Sequence, residues 1–261
     1  MSDQSSYVIA ALDKGLVLLN HLAEYPNSGV SEIAARTGST KSQIFRLLYT
    51  LERRGYVHKD PESRSYYLGH SCLLLGDRAR TQSSLVAIAD GVMEWLVRET
   101  QENVNLVVRE NARTVVVALK ESEQPLRLYA EVGREGPLHA GGSSMVLLAF
   151  APEQTIEEVL AMELASFTPN TETDPGRIRG TLAQIREAGF HVALEDLDKG
   201  AFSIAAPVRD HRREVVAAIS IAGPLSRLTP TAQEAHVRRV VKAAEEISRG
   251  LGMPWQDQQV A

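Results

Sequence analysis

Lys41, Ser42, Gln43 and Arg46 carry the most readable chemistry in this chain. The lysine and arginine hold fixed positive charge, the glutamine amide presents a donor beside an acceptor, and the serine hydroxyl offers both at one atom. These side-chain types hold phosphates and reach base edges: Gln43 matches an adenine edge, while Lys41 and Arg46 fit a phosphate or a guanine. Thr40, directly ahead of them, belongs to the same set of DNA-contact candidates and is also a small polar residue of the kind that caps a helix. To act together they must stand on one open side of a rigid element.

That element is legible in SEIAARTGSTKSQIFRLLYTLERRG, residues 31–55. A short helix over residues 31–36 turns Ile33 and Ala34 inward, and Thr37-Gly38-Ser39 breaks it. A second helix starts at an N-cap, Ser39 or Thr40, and runs to Arg54 before Gly55 stops it. Ile44, Leu47, Leu48 and Leu51 recur at spacings of three and four and form its apolar face. Lys41, Ser42, Gln43 and Arg46 stand largely off that face, as the second helix of a helix-turn-helix requires. Arg53 and Arg54, at the far end, read as structural or backbone-facing. Upstream, Val8, Leu12, Leu16, Leu19 and Leu22 repeat at helical spacing over residues 7–25, until Pro26-Asn27-Ser28-Gly29. Downstream, residues 56–59 and 66–68 read as two short strands around Asp60-Pro61-Glu62-Ser63. A hairpin in that place is a wing, and Arg64 near its tip is placed to reach a groove or a phosphate.

The 261 residues suggest two domains. Apolar residues make up 44% and charged residues 23%, enough for a sizeable core in a globular chain. A net charge of -5 and a pI near 5.8 argue against a protein that coats nucleic acid non-specifically. Residues 1–70 hold eight Lys and Arg against seven Asp and Glu, the remainder 20 against 26. A balanced head on an acidic body suits site-specific binding. The single cysteine, Cys72, excludes a disulfide framework and any multi-cysteine metal site, and a reducing cytoplasm is the simplest fit. The start, MSDQSSYVIA, lacks a basic region followed by a long apolar run, and no 18 apolar residues run uninterrupted, so neither a secretion signal nor a membrane span is expected.

Beyond the wing, residues 70–81 read as a helix with an apolar patch at Cys72, Leu73, Leu74 and Leu75. Residues 83–99 read as a second, with Leu85, Ile88, Val92, Trp95 and Leu96 on its buried side. NVNLVVRE, TVVVALKE and LRLYAEVG suggest an antiparallel meander. A loop over residues 136–144 precedes an apolar helix from Met145. Further helices are expected over 152–162 and 175–187, strands over 190–195, 203–208 and 215–221, and a closing helix capped by Thr229. The result is an α+β chain: a winged helix-turn-helix domain over residues 1–69, a linker helix over 70–82 and a second domain over 83–261. Of the seven histidines, His21, His58, His70, His139, His191, His211 and His236, none forms a metal-spaced pair. Gly141-Gly142-Ser143 beside His139 lacks the GxSxG of a nucleophile elbow. Glu195, Asp196 and Asp198 read as a solvated or hydrogen-bonding loop, because neighbouring carboxylates point apart. No cofactor, metal site or catalytic centre is expected.

RLLYTLERRGYVHKD followed by YYLG, then PLHAGGSSMVLLAF, then IREAGFHVALEDLDKGAFSIAAPVRD and VVAAISIAGPLSRL, in that order, resemble the IclR family of bacterial transcriptional regulators over roughly residues 11–248. The resemblance implies an operator-binding head, a linker helix and a GAF-like effector-binding domain. It implies a homodimer or dimer of dimers on palindromic double-stranded operator DNA, sensing a small organic or aromatic acid. The effector candidates are Gly142 and Ser143 in the loop, Ser203, Ser220 and Ala222 on strands, and Ala193 and Ala201 beside them. Small residues leave room, while hydroxyls and loop amides bind a carboxylate. Ser144-Met145 stands where the family has a Gly-Lys pair, Ser203 where it often has Cys, and Ala193 where some members are acidic. With Met145 and Ala193 apolar, an acid with an aromatic or aliphatic body is expected. The competing readings are a small-molecule enzyme with an attached winged-helix module, and a winged-helix adaptor without a DNA ligand.

Overall fold

The computed structural model describes residues 9–82 and 84–253, and the chain divides between residues 82 and 83 into two units. The first contains α1 (Ala10–Glu24), α2 (Val30–Arg36), α3 (Lys41–Arg53), the strands β1 (Val57–Lys59) and β2 (Tyr66–Leu68), and α4 (His70–Gln82). Ile33 and Ala34 of α2 meet Ile44 and Leu48 of α3 over Leu18 and Leu22 of α1, and Val57 and Tyr66 close this core from the wing. Leu12 and Leu16 of α1, two of the apolar residues that repeat at helical spacing, are exposed; the helix buries Gly15, Leu18, His21 and Leu22. The helix carries apolar residues on more than one side, and spacing alone does not say which side meets the core. Tyr7 and Val8 lie outside the described residues. In the wing, Val57 pairs with Leu68 and Lys59 with Tyr66.

The start of α4 is fastened to the end of α3. Gly69 N donates to Tyr56 O at 2.7 Å, Ser71 Oγ to Arg54 O at 3.0 Å and Cys72 Sγ to Tyr56 O at 3.3 Å. Only glycine fits at position 69, since a Cβ there would lie 2.2 Å from the carbonyl oxygen of Gly55. Burial pushes the Cys72 thiol above its ordinary pKa, which keeps it protonated.

The second unit is a six-stranded, fully antiparallel sheet between two helical layers. Its strands are β3 (Asn103–Glu110), β4 (Arg113–Lys120), β5 (Glu135–Pro137), β6 (His191–Leu194), β7 (Ala201–Arg209) and β8 (Val215–Pro224), in the order β5-β4-β3-β8-β7-β6. Side chains alternate between the faces. Val104, Leu106, Ile204, Ile219 and Ile221 pack against α5 (Ser84–Thr100) and α9 (Pro230–Gly250). Val107, Ala205 and Ala218 face α6 (Gly142–Ala149), α7 (Glu153–Leu160) and α8 (Pro175–Ala188).

Three expectations change here. LRLYAEVG is not a strand: residues 126–133 form a loop, and the edge of the sheet is the short β5. Its apolar residues have no layer to enter, so Leu126, Tyr129 and Val132 stay exposed, and Gly133 at φ 90° turns the chain. The helix expected from Met145 begins at Gly142, so Gly142 and Ser143 belong to its first turn. In α5 the fully buried side is Val86, Ala89, Met93 and Leu96, while Leu85, Ile88, Val92 and Trp95 flank it half-buried.

Candidate functional site

Thr40 caps α3. Its Oγ1 accepts from Gln43 N at 3.3 Å, and Gln43 Oε1 accepts from Thr40 N at 3.2 Å. This reciprocal pair satisfies amides of the helix start that lack intrahelical partners. It also commits the oxygen of Gln43 to the backbone N–H of Thr40, leaving the amide nitrogen to turn outward. With Ile44 and Leu48 buried and about 100° between successive residues, the opposite stripe is Ser42, Phe45, Arg46, Tyr49 and Arg53. Lys41 and Gln43 flank it, and all of these are exposed. Neither Lys41 nor Arg46 is held in an ion pair among the described residues. Phe45 and Tyr49 are 56% and 55% exposed, with the Arg53 guanidinium 6.0 Å from the Tyr49 ring centre. Sequence reading passed over both aromatics; their offset from the leucine phase was the available signal. Apolar groups in such a place meet thymine methyls when a helix enters the major groove. Arg64 is exposed between the wing strands in a left-handed conformation, φ 58°.

In the second unit a cavity of about 320 Å³ opens between the sheet and the start of α6. Its floor includes Asn105 of β3, Ser220 and Ala222 of β8, and Ala201 and Ser203 of β7; Gly142 and Ser143 line it from the helix. Six of the seven expected effector residues therefore meet there. Ala193 does not: it is buried on β6 opposite Ser203. Gly142 is packed so closely that a Cβ would lie 2.6 Å from Ser203 Oγ. The first-turn amides of α6 have no intrahelical partners, its first closing bond running from Met145 N to Gly141 O at 3.0 Å. The aligned dipoles make this end of the helix favourable to an anion. The hydroxyls of Ser143, Ser203 and Ser220 have no hydrogen-bond partner among the described residues. Arg134, a cation at the cavity wall, escaped sequence reading because it sits in the run expected to border a strand. It donates to Tyr129 O at 3.0 Å.

The acidic loop is tied down. Asp196 Oδ2 accepts from Gly141 N at 2.7 Å and Glu195 Oε1 from Gly200 N at 2.7 Å. Thr168 and Thr171 donate to the main-chain oxygens of Glu195 and Asp196. These bonds position the α6 entrance rather than form an acid–base pair. Among the described residues no cluster of three His, Cys, Asp or Glu side chains is placed to hold a metal.

Burial pushes the His191 imidazole below its ordinary pKa, and Asp196 opposes only part of the shift. His236 moves the same way, through burial and then the charge of Arg239. A histidine depressed in the fold binds its proton more readily in the unfolded chain, so stability rises with pH between the folded and unfolded values. The contribution is fully present above about pH 6.5 and is lost on acidification towards the depressed folded pKa values. Thermal melts between about pH 7.5 and 5 show this fall, and replacing both histidines by glutamine flattens it.

Comparison with known proteins gives the same assignment for both units. Residues 78–249 match the family described as Bacterial transcriptional regulator IclR C-terminal, and residues 11–61 match the IclR helix-turn-helix domain. The HTH-type transcriptional regulator KipR of Bacillus subtilis (strain 168) is 34% identical, over 92% of this chain and 96% of that protein. An IclR-type transcriptional regulator from Alicyclobacillus acidocaldarius superposes with a TM-score of 0.88 at 28% identity, covering 94% of this chain and all of the other. An IclR homologue from Microbacterium hydrocarbonoxydans, solved in complex with 4-hydroxybenzoate, superposes with a TM-score of 0.80 at 26% identity, over 91% of this chain and 98% of that one. A helix-turn-helix unit and a C-terminal unit with a cavity are thus the two parts of a transcriptional regulator, and the chain belongs to the IclR family.

Proposed function

We propose that this regulator binds a palindromic operator as a homodimer or dimer of dimers, and that a small organic acid in the C-terminal cavity changes its affinity for DNA. The observation that carries the effector half is the meeting of unpartnered α6 amides and serine hydroxyls in one cavity. Those amides hold the carboxylate, Ser143 and Ser203 complete its shell, and the cavity takes an aromatic or aliphatic body. The complex of the Microbacterium relative with an aromatic acid supports the same class of ligand here. On the DNA half, Lys41, Ser42, Gln43 and Arg46 enter a major groove and Arg64 of the wing reaches the flanking backbone. Two-fold pairing sets two α3 helices about 34 Å apart, or a multiple of that, along the duplex. The protein acts by binding, without turnover, in the cytoplasm; among the described residues no helix is long and apolar enough to cross a membrane.

Coupling between the halves needs two states with different affinities for the acid. Effector occupancy changes how the C-terminal units pair, and α4, anchored to the end of α3, carries that change to the spacing of the heads. The test uses an operator fragment and benzoate-sized acids. The acid shifts wild-type operator affinity by tenfold or more. Gly142→Ala, whose methyl group enters the space beside Ser203, still binds operator but no longer responds. An unaltered response in Gly142→Ala would place the effector elsewhere.

A further inference from the structure

Two asparagines stand two residues apart on β3, on the same face of the sheet, and the protein treats them in opposite ways. Asn103 is fully committed: its Nδ2 donates to Leu128 O at 2.7 Å and its Oδ1 accepts from Ser122 N at 2.8 Å. It holds the loop that roofs the cavity. Asn105 is only 9% exposed, lines the same cavity, and its Oδ1 is buried without a hydrogen-bond partner. Neither end of its amide is bonded to another described residue. Burying an amide unpaired costs stability, and apolar residues serve that place better unless something binds there.

We infer that Asn105 reads a hydroxyl group on the effector, at the end of the ligand opposite its carboxylate. The inference rests on the acid-binding cavity proposed above and goes further by naming the second functional group. Sheet register supplies the geometry. Ser203, beside the α6 amides, pairs across β8 with Ala222, and Ala222 pairs with Asn103; Asn105 is two residues farther along β3. With strands about 4.8 Å apart and a rise of about 3.4 Å per residue, Asn105 lies roughly 12 Å from Ser203 in the plane of the sheet. One hydrogen bond of about 2.9 Å at each end leaves roughly 6 Å for the ligand. A benzene ring with the two groups para spans that distance, as does an aliphatic chain of similar length, whereas a two-carbon acid does not. A hydroxyl both donates and accepts, so it satisfies either end of the Asn105 amide.

The experiment is calorimetric titration of the full chain with two matched pairs: 4-hydroxybenzoate against benzoate, and 6-hydroxyhexanoate against hexanoate. The wild type binds at least one hydroxy acid tenfold or more tightly than its deoxy counterpart, and Asn105→Leu reduces that preference to threefold or less. Asn105→Ala carries the same test if the leucine variant does not fold, as judged by circular dichroism. Asn103→Ala lowers the melting temperature but retains the preference, because that amide serves the loop. Equal affinity for the paired acids, or a preference that survives in the Asn105 variant, overturns the inference while leaving the acid-binding cavity in place. Binding of none of the four acids overturns both.

Discussion

Arg46→Ala weakens operator binding by about tenfold to a hundredfold, the effect of losing one well-placed guanidinium contact worth about 1–3 kcal/mol. Arg46 stands on the stripe of α3 directly opposite Ile44 and Leu48 and is exposed. No acidic residue among those described holds it in an ion pair. Its removal therefore leaves no stranded carboxylate, and the head keeps its fold. Lys41 is different in kind. It lies at the first position of the helix, at the edge of the stripe, where a flexible ammonium suits a phosphate rather than a base edge. Lys41→Ala lowers the slope of log affinity against log salt by about 0.9, one phosphate's worth of released counterions. Fluorescence anisotropy at several salt concentrations separates the two variants. If Arg46 reads a guanine, its loss also narrows the gap between operator and scrambled DNA; if it holds phosphate, both fall together. Affinities within twofold of wild type for both variants would remove α3 from the DNA interface.

Much of the fold is legible in the sequence, for identifiable physical reasons. The helix-turn-helix announced itself because Ile44, Leu47, Leu48 and Leu51 fix the phase of one helix, while Gly38 and Gly55 mark where chain direction must change. The long strands of the second unit were legible because they are runs rich in β-branched residues, bounded by turn-forming ones. The fold as a whole, and its family, followed from several motifs standing in order. What escaped depended on long-range partners. LRLYAEVG has strand-like residues, but a strand needs a neighbour with free hydrogen-bonding edges, and β4 takes β5 instead. The phase of α1 was ambiguous because its apolar residues cover more than one side. Gly142 and Ser143 were chosen as loop residues and proved to be the first turn of a helix, which strengthens their chemistry, since that turn has unpaired amides. Asn105 gave no signal at all, because an asparagine in a strand acquires meaning only when its partners, or their absence, can be seen.

Replacing Arg227 with methionine destabilises the C-terminal unit by about 3 kcal/mol or more, the cost of leaving a buried charge without its partner. Glu102, which leads into β3, has a side chain only 3% exposed. Arg227, in the 3-10 turn after β8, meets it with two parallel bonds: Nε to Oε1 at 2.7 Å and Nη2 to Oε2. A third bond runs from Nη1 to Leu126 O at 2.9 Å and fixes the loop that continues into the cavity roof. Gly223 leaves the carboxylate its space, since a Cβ there would fall 2.2 Å from Oε2. One guanidinium thus joins the beginning of the sheet, its last long strand and the roof of the ligand site. Urea denaturation of the full chain shows the C-terminal transition moving to lower midpoint in Arg227→Met. The double variant Glu102→Gln, Arg227→Met recovers part of the loss, because a neutral amide is cheaper to bury than an unpaired carboxylate. The two substitutions are in contact and so do not add. Acid binding weakens in both variants, through the released roof, whereas operator binding without acid persists. If the midpoint moved by less than the error of the extrapolation, the pair would be an exposed surface bridge in effect, and the roof would have to be held by Asn103 and Arg134 without it.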